Sequence, residues 1–562
     1  MRGNVTGVRY PIEGVVYHST EECERHQRSG AWIWSTLGDA LRAAAIDEPD
    51  RVYVVTDEEE WTFAGLDQTS ESIAASLLDG GFSPGSRVIF QIGSVAELIL
   101  ALFGCFKAGI VPVCTLPQHR ELEIGQLTKL SGATAYFVQA DYSPTFDLLA
   151  FARRMRIEHP QLTRLVVVRG RATAKEESLL EMASRYTTVT ARARTASVNP
   201  SPADAAIFQL SGGSTGIPKI IPRMHAEYLG SSNAWNMRHR LTKSDVSLWA
   251  LPMIHNAGMI KMLIPSLLQR RKLVMLPRFT LDEFLGAIEQ HRVTYTGSIG
   301  PIAPRIIEYR DIAKSDLSSV RMFFTLSRAE ALEGRTGTLA QQVYGNTEGM
   351  IMGSLPDSSI AMRHKTLGWP AGIGDEVRLL EPGAEREVDI GQVGEFCFRG
   401  PHTFKAYFNN VEATDQSFTS DNFFRSGDLM RRVILDGQIG YVFEGRLKDN
   451  INRGGEKFGA EEVEACIVRH PDVNDARVVA MPDRILGERA CAFIIVKEGR
   501  PALTVASLGA FLQKEGLAKF KLPERIEIVT AFPVTRVGKI DKQAMRTGIA
   551  EKLQMEAAFS EM

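Results

Sequence analysis

RVIFQIGSVAELILALFGCFKAGIVPVC, residues 87–114, reads as strand, helix, strand. Residues 87–91 form a short apolar run, 96–107 a helix apolar enough to be buried, and 110–114 a second strand. Glu97 and Lys107 interrupt the long apolar stretch 95–114, so it reads as a buried helix entering a strand and not as a membrane span. The same alternation recurs outward from this segment. Residues 165–168, 272–276 and 293–295 read as strands, and 281–290 follows the second of these as a helix. Such an order predicts layered α/β units with sheets covered by helices.

From about Ile373 the texture changes. Residues 376–380, 394–399 and 441–444 are short strands punctuated by Gly and Asp, which predicts a small, β-barrel-like subdomain. Gly445-Arg446-Leu447-Lys448-Asp449 marks a boundary, giving a large N-terminal domain over 1–447 and a small α+β domain over 448–562. In the latter, Ala460, Val463 and Ile467 lie three and four apart on one helix face, and Pro471 ends that helix. Residues 476–480 and 490–496 follow as strands, and the tail from Lys539 is helical.

At 562 residues the chain exceeds the size of a single core, so two or more domains are expected. Sixty-five Lys plus Arg against 67 Asp plus Glu leave no net field that would draw nucleic acid or membrane, and neither is expected as a partner. The six cysteines form no CxxC pair, and the opening MRGNVTGVRYPIEG has no apolar core of signal-peptide type. A cytoplasmic location is the expectation.

The sharpest chemical signal is Leu210-Ser211-Gly212-Gly213-Ser214-Thr215-Gly216-Ile217-Pro218-Lys219, which follows the apolar run 205–210. Its glycines let backbone N–H groups converge on an anion, while Ser211, Ser214, Thr215 and Lys219 add donors, an arrangement suited to the phosphates of ATP. No GK[ST] closes the loop, so it is not a Walker A motif, and it is not a GxGxxG dinucleotide turn.

From this loop onward the chain resembles the adenylate-forming superfamily, in particular the stand-alone aryl acid ligases that load salicylate or 2,3-dihydroxybenzoate onto carrier proteins. The resemblance runs from about Trp34 to Ile549. It is carried by QLSGGSTGIPKIIPR at 209–223, HN at 255–256, QQVYGNTEG at 341–349 and GEFCFRGPHTFKAYF at 394–408. FFRSGDL at 423–429, EGRLKDNINRGGEKFGAEEVE at 444–464 and PVTRVGKI at 533–540 complete it in order.

The resemblance implies a function: an aryl acid and ATP give an aryl-adenylate and diphosphate, and the aryl group then passes to the phosphopantetheine thiol of a carrier protein supplied in trans. It also implies roles. Glu348 resembles the Mg²⁺ ligand, a hard oxygen donor. Tyr344 looks like the aromatic that packs on adenine, with Gly345, Asn346 and Thr347 beside the nucleotide. Asp428 resembles the carboxylate that accepts the ribose hydroxyls, and Arg446 the arginine on the sugar or α-phosphate. Lys539 resembles the lysine that steadies charge at the α-phosphate, with Lys219, Glu348 and His255 as further catalytic residues.

For the second half-reaction the resemblance implies rotation of the small domain about Lys448, which brings Gly454-Gly455-Glu456 to the thiol arm. For the acid it implies His255 and Asn256, the latter bonding a hydroxyl ortho to the carboxylate. Three positions depart from the pattern. Ala257-Gly258 replace an aromatic residue and proline, Lys261 stands where a small residue meets the ring, and Leu326-Ser327-Arg328 replace a glycine pair. A larger, more acidic, heteroaromatic or amino-substituted acid is therefore as compatible as salicylate. An aryl or acyl coenzyme A ligase, and a non-catalytic nucleotide-binding homologue, remain as alternatives.

Overall fold

The structure, a computed structural model, describes residues 7–560 apart from 212–217, 301, 454–455, 484–485, 516, 518 and 535–539. The expectations for Gly212, Gly213, Ser214, Thr215, Gly216, Gly454, Gly455 and Lys539, and for the side chains of Lys448 and Glu456, lie outside the described residues. The chain divides into two compact units: residues 1–376 with 398–418, and residues 377–397 with 419–562. A large α/β unit with layered sheets and a smaller unit carrying the C-terminal fold are as the sequence led us to expect.

In the large unit, strand Arg87–Gln91 pairs in parallel with Val111–Val113, and helix Ala96–Lys107 makes the crossover between them. Leu98, Ile99, Leu102, Phe103 and Phe106 are buried, and so is the rest of the helix apart from Glu97. Its end is a Schellman turn: Ile110 N–H donates to Cys105 at 2.9 Å, and Gly109, at φ 68°, takes the left-handed step. Lys107 is 1% exposed, yet its ammonium meets Asp67 at 2.5 Å and Glu71 at 3.1 Å, both from helix Phe63–Asp79. A buried lysine is tolerated there because its counter-charges are buried with it.

Among the described residues this unit holds two sheets. One runs, edge to edge, Glu177–Ser178, Arg164–Val168, Ala135–Gln139, Arg87–Gln91, Val111–Val113, Ala205–Leu210, Ile220–Met224. The other runs Trp369–Pro370, Ile351–Gly353, Ala340–Gly345, Met322–Thr325, Tyr295–Gly297, Val246–Trp249, Lys272–Met275, Val52–Val55, Glu60–Thr62. Pairing is parallel through the interior of each, as helix crossovers require, and antiparallel where a hairpin closes an edge.

The smaller unit carries an antiparallel sheet dominated by the long pair Phe424–Leu435 and Gln438–Arg446. It also carries a five-stranded sheet in which Val473–Asp483 and Gly487–Val496 form the longest pair, covered by helix Ala460–Ile467. Ala460, Val463 and Ile467 are fully buried, as their spacing predicts. Among the described residues no helix is long and apolar enough to cross a membrane.

Candidate functional site

The glycine-rich loop is the connection of an edge hairpin. Strand Ala205–Leu210 runs antiparallel to Ile220–Met224 with Leu210 opposite Ile220, and the mouth of the loop is clamped twice. Ser211 N–H donates to the Lys219 carbonyl at 2.9 Å, and Lys219 N–H donates to Ser211 Oγ at 2.9 Å.

Lys219 leaves the hairpin toward an aromatic ring. Its Nζ lies 4.3 Å from the ring centroid of Tyr407, whose hydroxyl donates to Glu348 Oε1 at 3.0 Å. A cation, a ring and a carboxylate are thus brought together from three segments far apart in sequence. Burial and the neighbouring carboxylate push the Tyr407 phenol far up, so it acts as a donor throughout the working range.

The turn that carries Glu348 is held from both sides. Asn346 Oδ1 accepts from the N–H groups of Gly349 at 3.2 Å and Met350 at 3.0 Å, and its own N–H donates to the Met350 carbonyl at 3.1 Å. Arg223, fully buried, donates to the carbonyls of Thr347 at 2.6 Å and His402 at 3.1 Å and is paired with Glu227. Gly349, at φ 134°, lets the turn touch the His402 backbone: an added Cβ would sit 1.9 Å from that carbonyl oxygen. Tyr344, at the end of strand Ala340–Gly345, is buried beside Asn346, whose Nδ2 reaches its hydroxyl at 3.3 Å.

Asn256 opens a second corner of the same unit. His255 caps the short helix Asn256–Gly258 with Nδ1, which accepts from Ala257 N–H at 3.2 Å. The Asn256 amide is oriented by a relay. Gln209 Nε2 donates to the Tyr228 hydroxyl at 3.2 Å, Tyr228 donates to Asn256 Oδ1 at 2.7 Å, and Asn256 Nδ2 is left pointing toward the Asn346 carbonyl at 3.5 Å. The side chain therefore presents N–H, not C=O, to anything placed before it. Gly258 lacks a side chain for packing reasons: a Cβ there would lie 2.6 Å from the Met253 carbonyl oxygen. The small residue serves contact with that loop and does not widen the corner.

Lys261 follows in the π-helical turn Met259–Leu263. It is 3% exposed and does not face solvent. Leu326-Ser327-Arg328 form a half-open loop in which Thr325 Oγ1 donates to the Ser327 carbonyl at 2.8 Å and Arg328 starts helix Ala329–Thr336 at φ 62°.

In the smaller unit, Asp428 and Arg446 are cross-strand partners, with Arg446 Nε 3.3 Å from Asp428 Oδ1. Ser426-Gly427-Asp428 lies within the strand Phe424–Leu435, where Ser426 Oγ donates to the Phe396 carbonyl at 2.6 Å and accepts from Asp428 N–H at 3.1 Å. Sequence reasoning gave no role to Gln209, Arg223, Tyr228 or Tyr407. Three of them stand inside the quoted motifs, which was the available signal; Tyr228 stands in none.

Comparison with known proteins agrees with this architecture. The AMP-binding enzyme family model matches residues 41–408, and the AMP-binding enzyme C-terminal domain model matches 462–539. The chain is 35% identical over 549 residues to the 2,3-dihydroxybenzoate-AMP ligase of Bacillus subtilis, covering 96% of this chain and 99% of that protein. It is 32% identical over 552 residues to a salicylyl-CoA synthase / salicylate adenylyltransferase of a Streptomyces species, covering 96% and 98%. The apo structure of MbtA from Mycobacterium smegmatis superposes with a TM-score of 0.71 at 32% identity, over 95% of this chain and 98% of that one. With the family model matched over more than half its length and such relatives aligned end to end, the chain belongs to the AMP-binding enzymes.

Proposed function

We propose that this enzyme activates an aromatic carboxylic acid with ATP as its acyl-adenylate and then passes the acyl group to the phosphopantetheine thiol of a carrier protein acting in trans. The observation that carries the reading is the Lys219–Tyr407–Glu348 cluster at the mouth of the glycine hairpin, in the same unit as the Asn256 corner. The aryl acid ligase relatives support the choice of acid class.

In the first step a carboxylate oxygen of the acid bonds to the α-phosphorus while the bond from that phosphorus to the bridging oxygen breaks, and diphosphate leaves with the electron pair. Two anions must be held together for this, so most of the work is positioning and charge compensation. Ser211, Gly212, Gly213, Ser214, Thr215, Gly216 and Lys219 receive the departing phosphates. Tyr344, Gly345, Asn346 and Thr347 seat the base, Asp428 and Arg446 the ribose and α-phosphate, and Lys539 the charge that builds on the α-phosphate. His255 and Asn256 fix the acid.

Glu348 fits Mg²⁺ as a single hard ligand held in place by Tyr407, and among the described residues no cluster of three or more His, Cys, Asp or Glu forms a cage for an ion. One carboxylate plus substrate phosphates and water is the usual setting for this ion, which would screen the phosphate charge. In the second step the thiolate sulfur bonds to the acyl carbon and AMP leaves. Lys448 serves as the hinge, and Gly454, Gly455 and Glu456 border the thiol's path.

Exchange of labelled diphosphate into ATP tests the first step: it should depend on an added aromatic acid and vanish without Mg²⁺. For the second step, the salicylyl-CoA synthase relative favours free coenzyme A as a rival acceptor. Loading of an aryl carrier protein with no acyl transfer to free coenzyme A is the expected outcome; transfer to coenzyme A alone would move the enzyme to the coenzyme A ligases.

A further inference from the structure

Lys261 is a buried amine that meets no counter-charge among the described residues. Its Nζ lies 4.6 Å from the ring centroid of Trp235 and 5.6 Å from that of Phe324. Among the described residues no carboxylate pairs with it and no acceptor bonds to it, and burial alone brings its ammonium down to about 7. Lys107, equally buried, shows how this protein neutralises an internal lysine when the role is structural: Asp67 and Glu71 flank it. Nothing comparable flanks Lys261.

The ammonium sits against the exposed backbone of Gly345, where an added Cβ would lie 3.3 Å from Nζ. One residue on, the Asn346 carbonyl faces Asn256 Nδ2 at 3.5 Å. Lys261 and Asn256 therefore lie against successive residues, Gly345 and Asn346, with Asn256 fixed by the Tyr228 relay. An unpaired charge in apolar surroundings is costly, and the cost is relieved when a ligand brings an acceptor to it.

We propose that Lys261 is the partner of a lone-pair-bearing group on the substrate ring. The substrate class is then an aromatic acid with a second acceptor, whether a ring nitrogen, an ionised hydroxyl or another carboxylate, in place of benzoate or simple salicylate. This rests on the aromatic-acid reading above. An acid lacking the acceptor leaves the ammonium stripped of water and unpaired, which is the situation in which sites discriminate most strongly.

The groups facing Lys261 are Trp235 and His239 from helix His225–His239, Phe324 from strand Met322–Thr325 and Gly345 from strand Ala340–Gly345. Strand Val246–Trp249, also packed on this turn, bears no titratable side chain. His239 is kept neutral by burial and by the surrounding cations Lys261, Arg238, Arg321 and Arg271. A proton taken up when an acceptor docks is therefore taken by Lys261.

The test compares the wild type with Lys261→Met, which keeps length and removes charge, and Lys261→Gln, which keeps a donor. Diphosphate exchange is measured with benzoate, salicylate, pyridine-2-carboxylate, 3-hydroxypyridine-2-carboxylate and benzene-1,3-dicarboxylate. Proton uptake on binding is measured by calorimetry at pH 8 in two buffers of different ionisation enthalpy. We expect the wild type to prefer an acceptor-bearing acid over benzoate and salicylate by about tenfold or more in specificity constant, with proton uptake. The winning acid identifies the acceptor. Lys261→Met should lose both the preference and the uptake while melting at or above the wild-type temperature; if it does not fold, Lys261→Gln decides by the same two readouts. Unchanged ranking and uptake in the variant overturn the role of Lys261 and leave aromatic acid activation standing. Exchange with none of the acids overturns that reading and this one with it.

Discussion

Tyr407 donates its hydroxyl to the Glu348 carboxylate at 3.0 Å while Lys219 lies over its ring face, so one side chain ties the proposed metal ligand to the phosphate loop. Removing a hydrogen bond to a charged group costs about 1.5–3 kcal/mol. Tyr407→Phe should therefore lower kcat/KM for Mg·ATP by about tenfold to a hundredfold and shift the Mg²⁺ dependence of diphosphate exchange upward. Tyr407→Leu, which also removes the ring under Lys219, should be worse by a further ~0.5–2 kcal/mol. A Mg²⁺ titration curve identical to wild type for both would show that Glu348 needs no support from this phenol.

The Gln209–Tyr228–Asn256 relay predicts an effect at one remove from the substrate. Tyr228→Phe leaves Asn256 Oδ1 unclaimed, the amide can turn over, and the N–H presented to an ortho oxygen is no longer assured. Ortho-hydroxylated acids should lose about 0.5–1.5 kcal/mol of discrimination over benzoate, and Asn256→Leu about 1–3 kcal/mol. Specificity constants for matched acids measure both. Equal losses with and without the hydroxyl would place the contact elsewhere.

Stability of the large unit should depend on His402. Its Nδ1 lies 3.1 Å from the Asp375 carboxylate and its Nε2 3.0 Å from the Ala31 carbonyl, so both nitrogens donate and the ring is an imidazolium. Burial opposes that charge, but Asp375 and the carbonyl outweigh it, and the folded pKa lies above the ordinary value. The stabilisation is thus complete below the unfolded histidine value of about 6.5 and is lost as pH rises through the folded pKa. Urea unfolding across pH 6–9 should show a falling midpoint that Asp375→Asn flattens. Asp375→Ala, which strands the buried imidazole, should cost about 3–5 kcal/mol near pH 6.

Lys539→Ala should separate the half-reactions. Loss of a charge-assisted contact to the α-phosphate costs about 2.7–4 kcal/mol, or roughly 10²–10³ in adenylation rate. Thioester formation from preformed aryl-adenylate should be largely kept if, as proposed, rotation about Lys448 carries Lys539 away. Single-turnover measurement of each step decides, and comparable losses in both would reject the division.

Some of this was legible in the sequence for plain reasons. Helix Ala96–Lys107 is apolar almost all round, and all of it but Glu97 is buried. The strand placed at 293–295 sits at Tyr295–Gly297 instead, because Val293 closes the preceding helix through a bond to the Ile288 carbonyl and Gly297 gives no β signal. The long pair Phe424–Leu435 and Gln438–Arg446 was glimpsed only at 441–444. Arg431, Arg432 and Glu444 make it look like surface, and Ser426-Gly427-Asp428 looks like a turn. Tyr228 gave no warning because a lone tyrosine outside every motif has no periodic or compositional mark. Lys261 was singled out by its place in the motif frame, but its burial was not legible, because charged side chains generally face water.

The turn Met259–Leu263 closes with Ile264 N–H bonded to the Met259 carbonyl, five residues back rather than four. In an α-helix Asn256 and Lys261 would point roughly 140° apart, yet here Lys261 lies against Gly345 and Asn256 faces the carbonyl of the next residue. The chemistry of this corner is therefore written in the phase of the backbone as well as in its letters. Rewinding the turn as an ordinary α-helix with every residue kept would swing Asn256 out of step with Lys261, without touching either side chain. A relative whose turn winds as an ordinary α-helix would need its lysine four residues after the asparagine, one fewer than here, to place both on the same face.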